Sequence, residues 1–211
     1  ATIIGNKLRI IKYRYLAQED KNKKLIDSAK NGEMRKTSLL LQANSDIDFE
    51  DKSGNTALIK AVKKGHRDIV RLLLKYDANL NLQNKYGSTE LILASEKGHT
   101  DIVKLLLKYG AIIDIQDEHG NTALIFAAMN SHEDIVNLLL DSAANIDFQN
   151  IDGETALMLS ACDGNESIVK LLLDRGSNIN LPDNHGKTPL MISACHGHEK
   201  IVNLLLDHGA T

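Results

Sequence analysis

The 211-residue sequence contains no Trp, 3 Phe, 5 Tyr, 2 Pro and 2 Cys. Two cysteines cannot build a disulfide framework, which excludes the small stapled secreted class. No apolar run reaches the roughly 18 uninterrupted residues of a spanning helix, so no membrane span is expected. With so few rings the core has to be aliphatic, and with so few prolines the loops have to be short and regular. The first twenty residues hold no secretory signal, because Lys7, Arg9, Lys12 and Arg14 interrupt them, and this points to a cytoplasmic protein. What is present is ordinary globular composition: 43% apolar, 25% charged and a net charge of -3. Lys outnumbers Arg 19 to 6 beside 21 Ile and 18 Asn, the codon bias of an AT-rich genome rather than a functional signal.

Self-similarity decides the architecture. Thr56, Thr89, Thr122, Thr155 and Thr188 recur every 33 residues, each two residues after Gly54, Gly87, Gly120, Gly153 or Gly186. The blocks are 51–83, 84–116, 117–149, 150–182 and 183–211. Leu25, Gly32, Leu39 to Leu41 and Ile47 continue the phase backwards and define a divergent unit at 18–50, behind an extension at 1–17.

Each block reads as a turn and two helices. An Asx-x-x-Gly opening such as Asp117-Glu118-His119-Gly120 makes a tight turn, because the Asx side chain folds back on the backbone and Gly supplies a positive φ. Thr then serves as N-cap for a short apolar helix, which ends at Gly65, Gly98, Gly164 or Gly197. A second helix follows with an apolar face such as Ile69, Val70, Leu72, Leu73 and Leu74. Gly110, Gly176 and Gly209 stand where a left-handed C-cap is needed, and Asp77 and Ala143 occupy that place in two units, at roughly 1 kcal/mol each. Helices this short are unstable alone and must bury their faces against neighbouring units.

Gly-x-Thr-Ala-Leu-Ile, Gly-His-x-Asp-Ile-Val-x-Leu-Leu-Leu and the 33-residue period resemble the ankyrin repeat over residues 18–211. The resemblance implies an all-α ankyrin-repeat solenoid of helix-turn-helix units with β-turn fingers. The family opening Thr-Pro-Leu-His keeps its Pro only at Thr188-Pro189-Leu190, and its His is replaced by Ile59, Ile92, Ile125, Met158 or Met191, so apolar packing is expected where the family has a hydrogen-bond network. The resemblance gives the Gly-His element at His66, His99 and His198 a structural, local role.

Cys162 and Cys195-His196-Gly197-His198 invite a metal reading. Zinc in a structural site needs four converging ligands, and His198 belongs to the repeated element, so neither a metal nor a cofactor is expected. Helices of stacked units lie roughly 8–10 Å apart, too far for a Cys162–Cys195 disulfide. Gly-rich phosphate loops, Gly-x-Ser-x-Gly, His-Glu-x-x-His and paired acid-base carboxylates outside the repeat are missing, so the chain reads as non-catalytic.

The net charge conceals an uneven distribution. Residues 1–50 carry +3 and 51–83 carry +4, whereas 117–149 carry -6 and 150–182 carry -3. In stacks of this kind the turn tips and the first-helix ends line a concave groove. The corresponding positions hold Lys52, Ser53, Asn55, Lys63 and Lys64, then Lys85, Tyr86, Ser88, Glu96 and Lys97, then Glu118, His119, Asn121, Met129 and Asn130. They continue with Ile151, Asp152, Glu154, Cys162 and Asp163, and with Asn184, His185, Lys187, Cys195 and His196. Their chemistry varies while the helix cores repeat, as a specificity surface requires, and Tyr86, Met129 and Ile151 are the expected apolar anchors.

A protein partner bound in this groove, with the Lys-rich units facing acidic segments, is therefore the expected function. The alternative is a scaffold or targeting segment of a larger protein, such as a host-interacting effector, whose activity lies outside this chain. Nucleic acid is disfavoured, because aromatics for base stacking are scarce and the acidic half repels phosphate. The segment Lys7 to Leu16 reads either as a strand or as a basic amphipathic helix that could touch an anionic membrane surface. The first unit carries polar Arg35 and Lys36, but Ile201, Val202, Leu204, Leu205 and Leu206 keep the internal pattern to the last turn. That uncapped end implies either further chain or self-association.

Overall fold

The computed structural model describes residues 9–211. Residues 9–14 of the Lys7–Leu16 segment are helical and 15–16 turn out of that helix; residues 7 and 8, like the rest of 1–8, lie outside the described residues. From there the helices come in pairs: α1 (Gln18–Lys30) with α2 (Met34–Gln42), α3 (Ala57–Lys63) with α4 (Arg67–Lys75), and α5 (Glu90–Glu96) with α6 (Thr100–Lys108). Then follow α7 (Ala123–Met129) with α8 (Glu133–Asp141), α9 (Ala156–Cys162) with α10 (Glu166–Asp174), and α11 (Pro189–Cys195) with α12 (Glu199–Asp207). No strand occurs among the described residues.

The threonines set where each first helix begins. The Oγ1 atoms of Thr56, Thr89, Thr122, Thr155 and Thr188 accept from the N–H three residues on, at 3.2–3.4 Å, satisfying a donor that the helix cannot. First helices pack in one row, α1 on α3 and onward to α11, and second helices in a parallel row, α2 on α4 and onward to α12. The aliphatic core runs unbroken between the rows, through Leu58, Ile59, Val62, Ile69, Val70 and Leu73 and their equivalents. Ile59, Ile92, Ile125 and Met158 are all buried, so packing does replace the hydrogen-bonded His there, whereas Met191 in the last unit is 54% exposed.

His66, His99 and His198 of the Gly-His element act between units, which corrects the local role inferred for them, and His132, which follows Ser131, does the same. His66, His132 and His198 direct Nε2 to the carbonyls of Lys30, Glu96 and Cys162, 36 residues back, at 3.1, 3.3 and 2.9 Å. His99 is bonded in the same way to the Lys63 carbonyl. Each ring also lies flat on the glycine of the preceding unit: a Cβ added to Gly32, Gly65, Gly98 or Gly164 would meet the following unit's ring at 2.6–3.0 Å. That position therefore requires glycine twice over, for its positive φ and for the ring.

One junction lacks this lock on both sides at once. Asn165 stands where the histidine belongs, and Ser131, at φ 60, stands where its glycine belongs in the unit before. The two departures match: without a ring to accommodate, a Cβ is tolerated. Asn165 instead caps its own helix, accepting from Ile168 N at 3.3 Å. The junction is held by Arg175, which reaches back to Asp141 and Asn137, both at 2.9 Å. The left-handed C-caps fall as expected at Asp77 (φ 60) and Ala143 (φ 66), and Asn44 (φ 59) adds a third in the first unit.

The matched pair supplies a test. Asn165→His alone should destabilise by about 1–3 kcal/mol, because the ring meets the Ser131 Cβ and the cap is lost. Ser131→Gly alone should gain up to about 1 kcal/mol from relief at positive φ. The double variant should exceed the sum of the two by at least about 1 kcal/mol in equilibrium urea unfolding, and strict additivity would refute the lock.

Candidate functional site

The turn tips form one continuous row. In each turn an Asx carboxyl or amide oxygen accepts from the N–H groups two and four residues on, as Asp51 does from Ser53 (2.8 Å) and Asn55 (3.0 Å). Successive tips are joined backbone to backbone: the N–H groups of Lys85, Glu118, Ile151 and Asn184 donate to the carbonyls of Ser53, Tyr86, His119 and Asp152 at 2.9–3.1 Å. A second ladder runs alongside, in which Gln83, Gln116 and Gln149 bond to the carbonyls of Gln116, Gln149 and Pro182 at 3.0–3.1 Å. The tips are thus held in register independently of the side chains they display.

Lys52, Lys85, Tyr86, Glu118, His119, Ile151, Asp152, Asn184, His185 and Lys187 are exposed along this row. Lys64, Lys97, Met129, Asn130, Asp163, Cys195 and His196 are exposed at the first-helix ends, and Ser53, Lys63, Glu96 and Cys162 are half-buried. Tyr86, Met129 and Ile151 are 55%, 40% and 58% exposed, high values for large apolar groups. Asn55 and Ser88 depart from the expected surface. Both are buried; Asn55 accepts from Asn84 at 3.3 Å, and Ser88 N donates to Asn84 at 3.1 Å, so they build the turn instead of facing outward. Asn121 and Glu154 are half-buried and bonded to Asn150 at 3.3 and 3.1 Å, and the exposed Asn184 donates to the Ile151 carbonyl at 2.8 Å. Lys97 is paired with Glu96 at 2.6 Å.

The first unit adds a feature that the sequence reading missed. A depression of about 430 Å³ between α1 and the next turn has Ile26 and Phe49 as its apolar walls and charged walls of both signs, Lys30, Lys52 and Lys60 beside Glu19, Asp27 and Glu50. The signal was present, since Lys30 lies one 33-residue period before Lys63. Asp51 also borders it; burial would push its carboxyl up, but the Lys60 ammonium at 2.7 Å, the N–H groups of Asn55 and Ser53 and the Asn55 amide outweigh that and hold it down at about 2.

Among the described residues no three His, Cys, Asp or Glu converge as a metal cluster, and both cysteines are free thiols. No helix is long and apolar enough to cross a membrane, among the described residues.

Models of ankyrin repeats match the chain in overlapping stretches: ankyrin repeats (3 copies) at residues 77–150 and 142–211, and ankyrin repeats (many copies) at residues 40–94. The chain belongs to the ankyrin-repeat family. Such repeats are generally protein–protein interaction modules and are typically non-catalytic. No curated protein matches the chain.

One titratable group is out of place in this scaffold. Glu90 opens α5, where other units have Ala57, Ala123, Ala156 or Pro189; it is fully buried and neither carboxyl oxygen has a partner. Burial raises it from 4.5 to about 8, its own backbone N–H opposing and Asp48 adding to the rise. Between these two values the folded chain holds a proton that the unfolded chain releases, so the Glu90 contribution to stability falls as pH rises through the window. Glu90→Ala should therefore stabilise by about 1–3 kcal/mol at pH 7.5 and by much less at pH 5, read by urea unfolding. A gain of equal size at both pH values would refute this account.

Proposed function

We propose that the chain binds a protein partner through the face made by its turn tips and first-helix ends, and that the Lys-rich units receive an acidic segment of that partner. The observation that carries this reading is the backbone ladder. It presents exposed side chains of different chemistry at equivalent, fixed positions: Lys52, Lys85, Glu118, Ile151 and Asn184. Pre-organised display of this kind lowers the ordering cost of association. Lys52, Lys64 and Lys85 have no ion-pair partner among the described residues, so their charges are available. Tyr86, Met129 and Ile151 supply apolar area between them. The chain works by binding and not by catalysis, its partner is a protein and not a nucleic acid, and its setting is the cytoplasm.

Affinity capture from lysate with mass spectrometry tests this, comparing wild type with a variant carrying Lys63→Glu, Lys64→Glu and Tyr86→Ala, and with a control carrying Lys75→Glu and Lys108→Glu on the second-helix row. A partner held by wild type and control but lost by the first variant is expected. Capture that all three share, or none, would count against this face.

The C-terminal end favours a second contact, between copies of the chain. Met191 and Leu206 are exposed there, whereas Met158 is buried and Leu173 is half-buried one unit earlier, beneath the following unit. Light scattering should show concentration-dependent association that Leu206→Glu abolishes; a strict monomer at high concentration would exclude it.

A further inference from the structure

We propose that Cys162 and His196 form a two-ligand site for a thiophilic divalent cation of the zinc class, at the junction of the last two units. Cys162 ends α9 and His196 is the C-cap of α11, so the stacking of those helices brings together residues 34 apart. Cys162 Sγ and His196 Nε2 are 3.6 Å apart. Zinc bonds of about 2.3 Å to sulfur and about 2.0–2.1 Å to nitrogen, at a tetrahedral angle, place the two ligand atoms about 3.6 Å from each other. The observed spacing therefore matches that of two ligands on one cation.

The imidazole is also in the correct tautomer. His196 Nδ1 lies 2.9 Å from the Ile192 carbonyl, which can only accept, so Nδ1 carries the proton and Nε2 offers its lone pair towards the thiol. A metal-ligating histidine is fixed in this same way by its other nitrogen. His198, by contrast, donates from Nε2 to the Cys162 carbonyl at 2.9 Å, so that nitrogen is not a ligand. His208 makes the same Nδ1 contact, to the Leu204 carbonyl at 2.7 Å, but has no thiol opposite, which makes it an internal control.

The charges nearby favour a cation over other uses of the pair, because Asp163 and Glu154 place negative charge near Cys162. Nor does the repeat require the pair: equivalent pairs one, two and three units earlier are Met129 with Asp163, Glu96 with Asn130, and Lys63 with Lys97. With two protein ligands, the remaining coordination positions belong to water or to groups from a partner, so the ion is exchangeable. Binding is balanced by proton release: the sulfur–hydrogen bond breaks, the sulfur–metal bond forms, His196 donates its pair unchanged, and the proton goes to solvent.

The test uses the purified chain with Cd²⁺ and Co²⁺ as probes, following thiolate-to-metal charge-transfer absorption, with Zn²⁺ in competition. One equivalent per chain is expected, with affinity rising about tenfold per pH unit while the thiol remains protonated. Cys162→Ser should abolish the band, His196→Ala should weaken binding at least about tenfold, and Cys195→Ser and His208→Ala should leave it unchanged. Circular dichroism and thermal unfolding of each apo variant separate ligand loss from loss of fold. No saturable band, a band that survives Cys162→Ser, or equal loss in Cys195→Ser would overturn the assignment.

Discussion

Helices of seven and nine residues cannot hold themselves, and every unit of this protein is built from such a pair after the first. Stability therefore resides at the junctions, where the face of one unit is covered by the next. The recurring device is a histidine ring laid on the preceding unit's glycine, with its nitrogen on a carbonyl close by. It joins a steric requirement to a hydrogen bond, so neither residue changes freely without the other. Ser131 and Asn165 show this from the other side, having departed together, with Arg175 supplying a different tie across the same junction.

The same junctions create the surface. Because backbone and Gln ladders fix the turn tips in register, the outward side chains are released from structural duty, and they differ from unit to unit. Lys52, Lys85 and Tyr86 face solvent near one end, and Asp152 and Asp163 near the other, on a scaffold that does not need them. Charge therefore changes along the stack from basic to acidic without disturbing the fold. The Cys162–His196 pair belongs to the acidic end and likewise stands at positions that the repeat leaves free.

Much of this was legible in the sequence. The threonine caps, the glycine breaks and the strained positions Asp77 and Ala143 each rest on contacts within a few residues, and they fall where the spacing places them. The histidine rings were misjudged for the opposite reason, since their partners lie 36 residues away. Asn55 and Ser88 occupy tip positions by count, yet Asn84 binds one from the neighbouring turn and the other within its own, and both are buried. Lys30 was overlooked because the first unit's divergence obscured its place in the period.

The sequence by itself determined the period, the helix limits and the family, because these depend on local backbone chemistry repeated in phase. Only the tertiary structure decided which repeated residues are spent on the neighbouring unit and which are left to face a partner. It alone revealed a carboxyl sealed in at Glu90 and a thiol set against an imidazole at Cys162. Those outcomes depend on distances between atoms a full unit apart, which only the stacking of one unit on the next sets.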